Sequence, residues 1–244
     1  MDETLGEAIN SSAGVELYYK RNWPAAEDAF RRGAKLNPNF ADIRHHYGLC
    51  LVLFGRVDEA LRQIERANQL DPFFPGLNLH TARIYFFLRD YDRARSEFAK
   101  TLDLHPGYAA AHEYFGDACQ MSGMPAEAII QWRAALSLSG EPEQARLLEE
   151  TFAASRFDAA VRALAQKQLE QLQEKAARGE HVPAYHYMMA YMRLGDTEQA
   201  FSWMAKTVEE PSWFALQLRV NPLLDPLRSD PRFGEILATL MPKN

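Results

Sequence analysis

The chain has 244 residues, a formal net charge of −6, and hydrophobic and charged shares of 47% and 25%, a balance that suits a folded globular protein. A net-negative chain without a Lys/Arg cluster excludes a nucleic-acid partner, which needs a concentrated basic surface. The longest apolar run, "YGLCLVLFG" (47–55), falls well short of the ~18 residues of a spanning helix, so no membrane insertion is expected.

The N-terminus, "MDETLGEAIN", is acidic and polar and lacks the pattern of a secretory signal. A cytoplasmic location is expected, or a periplasmic one if the chain is a fragment. From residue 7 onward the sequence repeats in steps of 34. "NWPAAEDAFRRGAKLNP" (22–38) returns as "RVDEALRQIERANQLDP" (56–72) and again as "DYDRARSEFAKTLDLHP" (90–106). Ala26, Ala60, Ala94 and Ala128 share a position, as do Phe30, Ile64, Phe98 and Trp132, and Gly14, Gly48, Ala82 and Gly116. Pro38, Pro72 and Pro106 close their units, because proline cannot continue the helix it follows.

Each unit holds two stretches of helical period, for example 76–88 and 92–104, separated by a short break such as Gly55-Arg56 or Gly123-Met124. The small rows let two helices approach closely and the Phe30 row fills the space beside them. One such hairpin cannot bury its apolar faces, whereas stacked neighbours can. The unit resembles the tetratricopeptide repeat in its period and in its small, aromatic and proline positions. The resemblance covers 7–40, 41–74, 75–108 and 109–142 without an inserted residue, although the family's early tryptophan is replaced by Asn10, Arg44, Asn78 and His112.

Beyond residue 142 the pattern loosens. Residues 143–180 read as a degenerate hairpin whose second helix runs through "AQKQLEQLQEKAARG" to a stop at Gly179, and 181–220 return to a regular hairpin. In 221–244, Asp230-Pro231 reads as the start of a capping helix carrying Phe233, Ile236, Leu237 and Leu240. "DPLRSDPRF" after "SWF" resembles the C-terminal end of repeat domains in bacterial multidomain regulators. The fold expected is therefore all-α: a right-handed tetratricopeptide superhelix, or α-solenoid, of about six hairpins with a C-terminal capping helix.

No phosphate loop, nucleophile elbow or His-Glu-x-x-His motif is present, so no catalytic residue and no cofactor is expected. Adjacent His45 and His46 point about 100° apart on a helix, and His181 and His186 are also poorly spaced, so no metal site is expected. Cys50 and Cys119 lack ligand spacing and read as buried free thiols. "EPEQARLLEE" (141–150) reads as a solvated helix face.

In the family the resemblance points to, the first helix of each hairpin forms the inner face of the superhelix. Carried over in register, the partner-binding rows are Ser11, His45, Leu79 and Glu113; Val15, Leu49, Arg83 and Asp117; and Tyr18, Val52, Phe86 and Gln120. A neighbouring row adds Tyr19, Leu53, Phe87 and Met121. These rows lack the Lys, Asn and Arg of the carboxylate clamp in chaperone-binding relatives, so an acidic C-terminal tail is a poor ligand. The resemblance implies a non-catalytic adaptor or sensor that binds a protein or peptide, such as an amphipathic helix, in an apolar groove. Two alternatives stand beside it. One is self-association, the groove being covered by a second copy or by the chain's own tail. The other is a docking arm of a larger enzyme or transcriptional regulator. On this assignment Leu49, Leu79 and Phe86 are expected to be more exposed than Phe30, Ile64 and Phe98, and Arg83 to pair with Glu113 or Asp117.

Overall fold

Helices break where the repeat puts its turns. The computed structural model describes residues 3–240, in which every regular element is helical. α1 (Glu3–Gly14) runs on through a π-helical turn, Val15–Tyr19, and pairs with α2 (Trp23–Leu36). Three further hairpins follow: α3 (Ala41–Leu53) with α4 (Val57–Leu70), α5 (Pro75–Phe87) with α6 (Tyr91–Leu104), and α7 (Ala109–Met121) with α8 (Pro125–Leu138). Next come α9 (Pro142–Ala154) with α10 (Phe157–Ala177) and α11 (Ala184–Leu194) with α12 (Thr197–Glu209). Short α13 (Trp213–Gln217), a 3-10 turn over Pro222–Leu227 and α14 (Pro231–Ala238) complete the order.

The turn inside each of the first four hairpins has one backbone requirement. Arg21, Gly55, Arg89 and Gly123 stand 34 residues apart, and all have positive φ, at 52°, 73°, 62° and 70°. Glycine adopts that conformation without steric cost and arginine does not. Second helices then begin with side-chain caps where the sequence supplies them. Asn22 accepts from the Ala25 amide at 3.3 Å, Asp90 from Arg93 at 3.2 Å and Asp196 from Gln199 at 3.0 Å.

The second helices bury one narrow stripe. Ala60, Ile64 and Ala67 in α4 recur as Ala94, Phe98 and Thr101 in α6 and as Ala128, Trp132 and Ala135 in α8, every one of them buried. Spacing of four then three keeps the stripe on one side of the helix. Glycines of the facing helix make room for its large member. A Cβ at Gly48 would lie 2.8 Å from the Ile64 side chain, and one at Gly116 would run into the Trp132 ring.

The chain forms two compact units. One holds 3–106 together with Pro211–Pro222 and the buried Leu240, which lies past the end of α14 and not on it, and the other holds Gly107–Glu210 with Leu223–Thr239. In the second unit, Cys119, Ile129, Trp132, Leu148 and Leu164 make a continuous core. α10 reaches 21 residues before Gly179 turns the chain at φ 79°. α14 starts on an Asp230 cap, which accepts from the Arg232 amide at 2.9 Å, and lies against α12. There the Arg232 guanidinium sits 4.3 Å from the Phe201 ring centroid and bonds Glu198 at 2.9 Å, while Phe233 is buried.

Candidate functional site

In the first unit the expected groove rows are packed, not open. Leu49, Leu79 and Phe86 are 5%, 4% and 0% exposed, matching the 2%, 2% and 0% of Phe30, Ile64 and Phe98. The expected contrast in exposure is therefore overturned. The cause lies in the C-terminal halves of α3 and α5, 47–53 and 84–87, which are apolar on all sides and become covered on all sides. The Phe86 ring packs 5.9 Å from Phe87 and 6.0 Å from Tyr91 at the start of the next helix. Val52 and Leu53 are buried as well, whereas Val15 and Tyr19, in the π-helical turn, are exposed and Tyr18 is half-buried. A π-helical turn holds an extra residue, which takes this stretch out of the register of the later repeats.

Polar members of these rows are buried too. His45 stacks on His80 at 4.3 Å between ring centroids and 6° between planes, and lies 4.6 Å from His46. Burial drives both imidazoles toward the neutral form, and nearby cationic groups add to the effect. His45 is held well below its usual value, and His80 is lowered to about 3. Burial likewise pushes the Tyr18 phenol and the Cys50 thiol up to about 12, so neither ionises near neutral pH. Cys50 and Cys119 are both buried and unbridged. Among the described residues no group of three His, Cys, Asp or Glu side chains is placed to hold a metal ion.

Arg83 has aromatic neighbours within its unit. Its guanidinium carbon lies 5.5 Å from the Phe87 ring centroid and 5.3 Å from that of Trp213. The Trp213 and Phe87 rings are 6.3 Å apart. Trp213 opens α13, whose Ala215, Leu216 and Gln217 are buried together with Leu218. Part of this first-helix face is thus occupied by the chain's own Pro211–Pro222 segment, which was absent from the sequence-derived site.

The second unit differs. Asp117 is buried and accepts hydrogen bonds from Trp132 Nε1 at 3.1 Å and Arg193 Nη2 at 3.5 Å. Burial pushes its carboxyl up to about 7, Arg193 and the Trp132 bond pull it down, and Glu113 adds to the rise. Arg193 also lies 5.7 Å from the Trp132 ring. Asp117 thus makes an ion pair within its own unit, with Arg193.

A cavity of about 180 Å³ opens beside this pair. Trp132, Leu136, Val161 and Leu164 give it an apolar floor, and Glu113 and Arg193 bring opposite charges to it. Gln120 and Met121 line a larger cleft of about 550 Å³ with Phe157 and Phe201. Glu113, Asp117 and Gln120 therefore gather on one face of the second unit, and Arg193 joins them from α11. Carrying the rows over by 34 residues missed Arg193, because it stands outside the regular units. Its place before the Gly195 turn was the available signal.

Two-helix units repeated in register, a glycine-bulky core row and the absence of strand among the described residues define a helical-repeat protein. The family model of the tetratricopeptide repeat matches residues 12–73 and 79–140, about half the chain, and the chain belongs to that family. Its fold is accordingly an all-α tetratricopeptide solenoid. Among curated proteins it resembles the Hsp70-Hsp90 organizing protein of Triticum aestivum, 24% identical over 93 residues. That match covers 38% of this chain and 16% of the wheat protein. Two solved structures share the fold. One is a thermophilic tetratricopeptide protein of Thermus thermophilus, with 20% identity, a TM-score of 0.51 and coverage of 90% of this chain and 98% of that one. The other, pilF of Pseudomonas aeruginosa, has 14% identity, a TM-score of 0.56 and coverage of 97% and 98%. Among the described residues no helix is long and apolar enough to cross a membrane.

Proposed function

We propose that the chain is a non-catalytic adaptor or sensor that binds a protein segment, in the second unit where first helices α7 and α11 meet second helices α8 and α10, and in the first unit on the face of its first helices. The observation that carries this reading is the cavity beside Asp117 and Arg193. An apolar floor with one acidic and one basic group at its edge suits an aliphatic or aromatic anchor flanked by charges on a peptide. Family membership supports the same reading, as does the name of the wheat relative, an Hsp70-Hsp90 organizing protein. The ligand need not be a chaperone tail, since Lys, Asn and Arg do not fill the clamp positions here. Of the remaining expected rows, Val15 and Tyr18 reach the surface of the first unit and belong to the proposed face, whereas His45, Leu49, Val52, Leu79, Arg83 and Phe86 are buried there and join it only when uncovered.

Selection of a displayed random peptide library on the intact chain tests this. Enrichment of sequences with an apolar anchor is expected. Leu136→Asp should abolish their binding and Arg193→Glu should change their charge preference, with helicity by circular dichroism retained. Enrichment indifferent to both substitutions, or none above bare matrix, would count against the reading.

A further inference from the structure

The segment seated on the first unit has the form of a ligand. Pro211 and Pro222 bound it, and neither lets a helix run through, so the twelve residues from Pro211 to Pro222, where the 3-10 turn begins, form a separate piece of chain. Within it Ser212 Oγ accepts from the Ala215 amide at 3.4 Å and starts a single helical turn. Trp213 meets Phe87 and Arg83, Leu216 and Leu218 are no more than 2% exposed, and the Arg219 guanidinium lies 5.0 Å from the Trp23 ring. Phe87 and Arg83 belong to the rows that the family resemblance gives to a partner.

Two of its side chains, Gln217 and Trp213, fit this seat poorly. Gln217 is 1% exposed, yet neither Nε2 nor Oε1 of its side chain has a hydrogen-bond partner among the described residues. The same holds for Trp213 Nε1 and, in the helices of the same unit, for His45 Nε2 and His80 Nδ1. Buried polar groups left unmatched oppose the burial of Leu216 and Leu218. The buried threonines of the same unit's hairpins are matched. Thr81 donates to Leu77 O at 2.9 Å and Thr101 to Glu97 O at 2.8 Å. A deeply buried segment with unmatched polar groups is one that a better-matched helix can replace.

We propose that Pro211–Pro222 is an intramolecular stand-in for the partner of the first unit, holding the docking face until a partner helix displaces it. The displacing helix carries an aromatic residue followed three and six positions on by an aliphatic and a cationic residue, as Trp213, Leu216 and Arg219 do. This rests on the reading of the first-helix face as the binding surface.

Amide hydrogen exchange on the intact chain, followed by mass spectrometry, tests it with a synthetic peptide of residues 210–223 as the probe. Amides of 214–221 are expected to exchange about tenfold faster or more than those of α3 and α5, through local opening. Excess peptide should raise their exchange further while α3 and α5 stay protected. In the full-length Trp213→Ala chain, the labelled peptide should bind at least about tenfold more tightly than to the unaltered chain, and Phe87→Ala should reverse the gain. Exchange of 214–221 at the rate of α3 and α5, unaffected by peptide, would show an integral core segment and overturn the proposal, whether or not Trp213→Ala folds. That outcome leaves the adaptor reading to its own test at Leu136 and Arg193. Local opening without peptide binding would instead overturn the use of the first unit's face for docking.

Discussion

Burial sets the protonation of Asp117, and that has a consequence for stability. Its carboxyl is raised to about 7 from an ordinary value near 4, so between those pH values the folded chain holds a proton that the unfolded chain has released. The contribution of Asp117 therefore falls as pH rises from about 4 to 7, by at most ~1.4 kcal/mol per unit. His45 and His80 act in the opposite direction. Below about 6.5 the unfolded chain takes up protons that these buried rings refuse, so their contribution falls as pH falls. Urea unfolding of Asp117→Asn between pH 4.5 and 8 should show a steeper gain in stability with rising pH than the unaltered chain. An unchanged profile would mean that Asp117 is ionised throughout. Arg89 offers a second test at this scale. It holds φ 62° at a position where two other repeats use glycine, and Arg89→Gly should raise stability by about 1 kcal/mol in denaturant melts. A loss of stability would show that the side chain's bond to Phe87 O at 3.2 Å outweighs the backbone cost.

For single helices, legibility followed amphipathicity. α4, α6 and α8 carry their buried stripe at the spacing the sequence shows, and the break at each hairpin turn lies at the row of Gly55 and Gly123. α3 and α5 were harder to read. "YGLCLVLFG" is apolar on every side, a pattern that indicates cover on every side, and repeat register alone assigned one of those sides to an open groove. "SWFALQL", an apolar stretch between Pro211 and Pro222, was the corresponding signal for what covers Trp213's neighbours in the first unit. Phe86→Ala and Phe98→Ala should now cost similar amounts, ~3–5 kcal/mol each, since both leave a core cavity. A Phe86 variant that melts like the unaltered chain would restore the open groove. The glycine row separates in the same way. Gly116→Ala drives a methyl into Trp132 and should destabilise, whereas at Gly14 the nearest side-chain atom is 3.7 Å away and alanine should gain up to ~1 kcal/mol of helix propensity.

Across the whole molecule, cover is a recurring need, because a repeat stack leaves an apolar face wherever it stops. α14 meets that need on α12, with Phe233 buried and Arg232 over Phe201. Removing 223–244 should expose this face and bring self-association, detectable by light scattering, while the helicity of the earlier hairpins persists. A truncated chain that stays monomeric with unchanged melting would make α14 dispensable. Protein binding at the cavity of the second unit is most directly tested by photoreactive residues placed in the intact chain and cross-linked in cells. At Gln168, beside the cavity, polypeptide adducts of defined mass are expected, and at Arg146 or Glu150, exposed on α9, none. Equal adducts at all three positions, or adducts at α9 alone, would contradict the assignment of that cavity as the binding site.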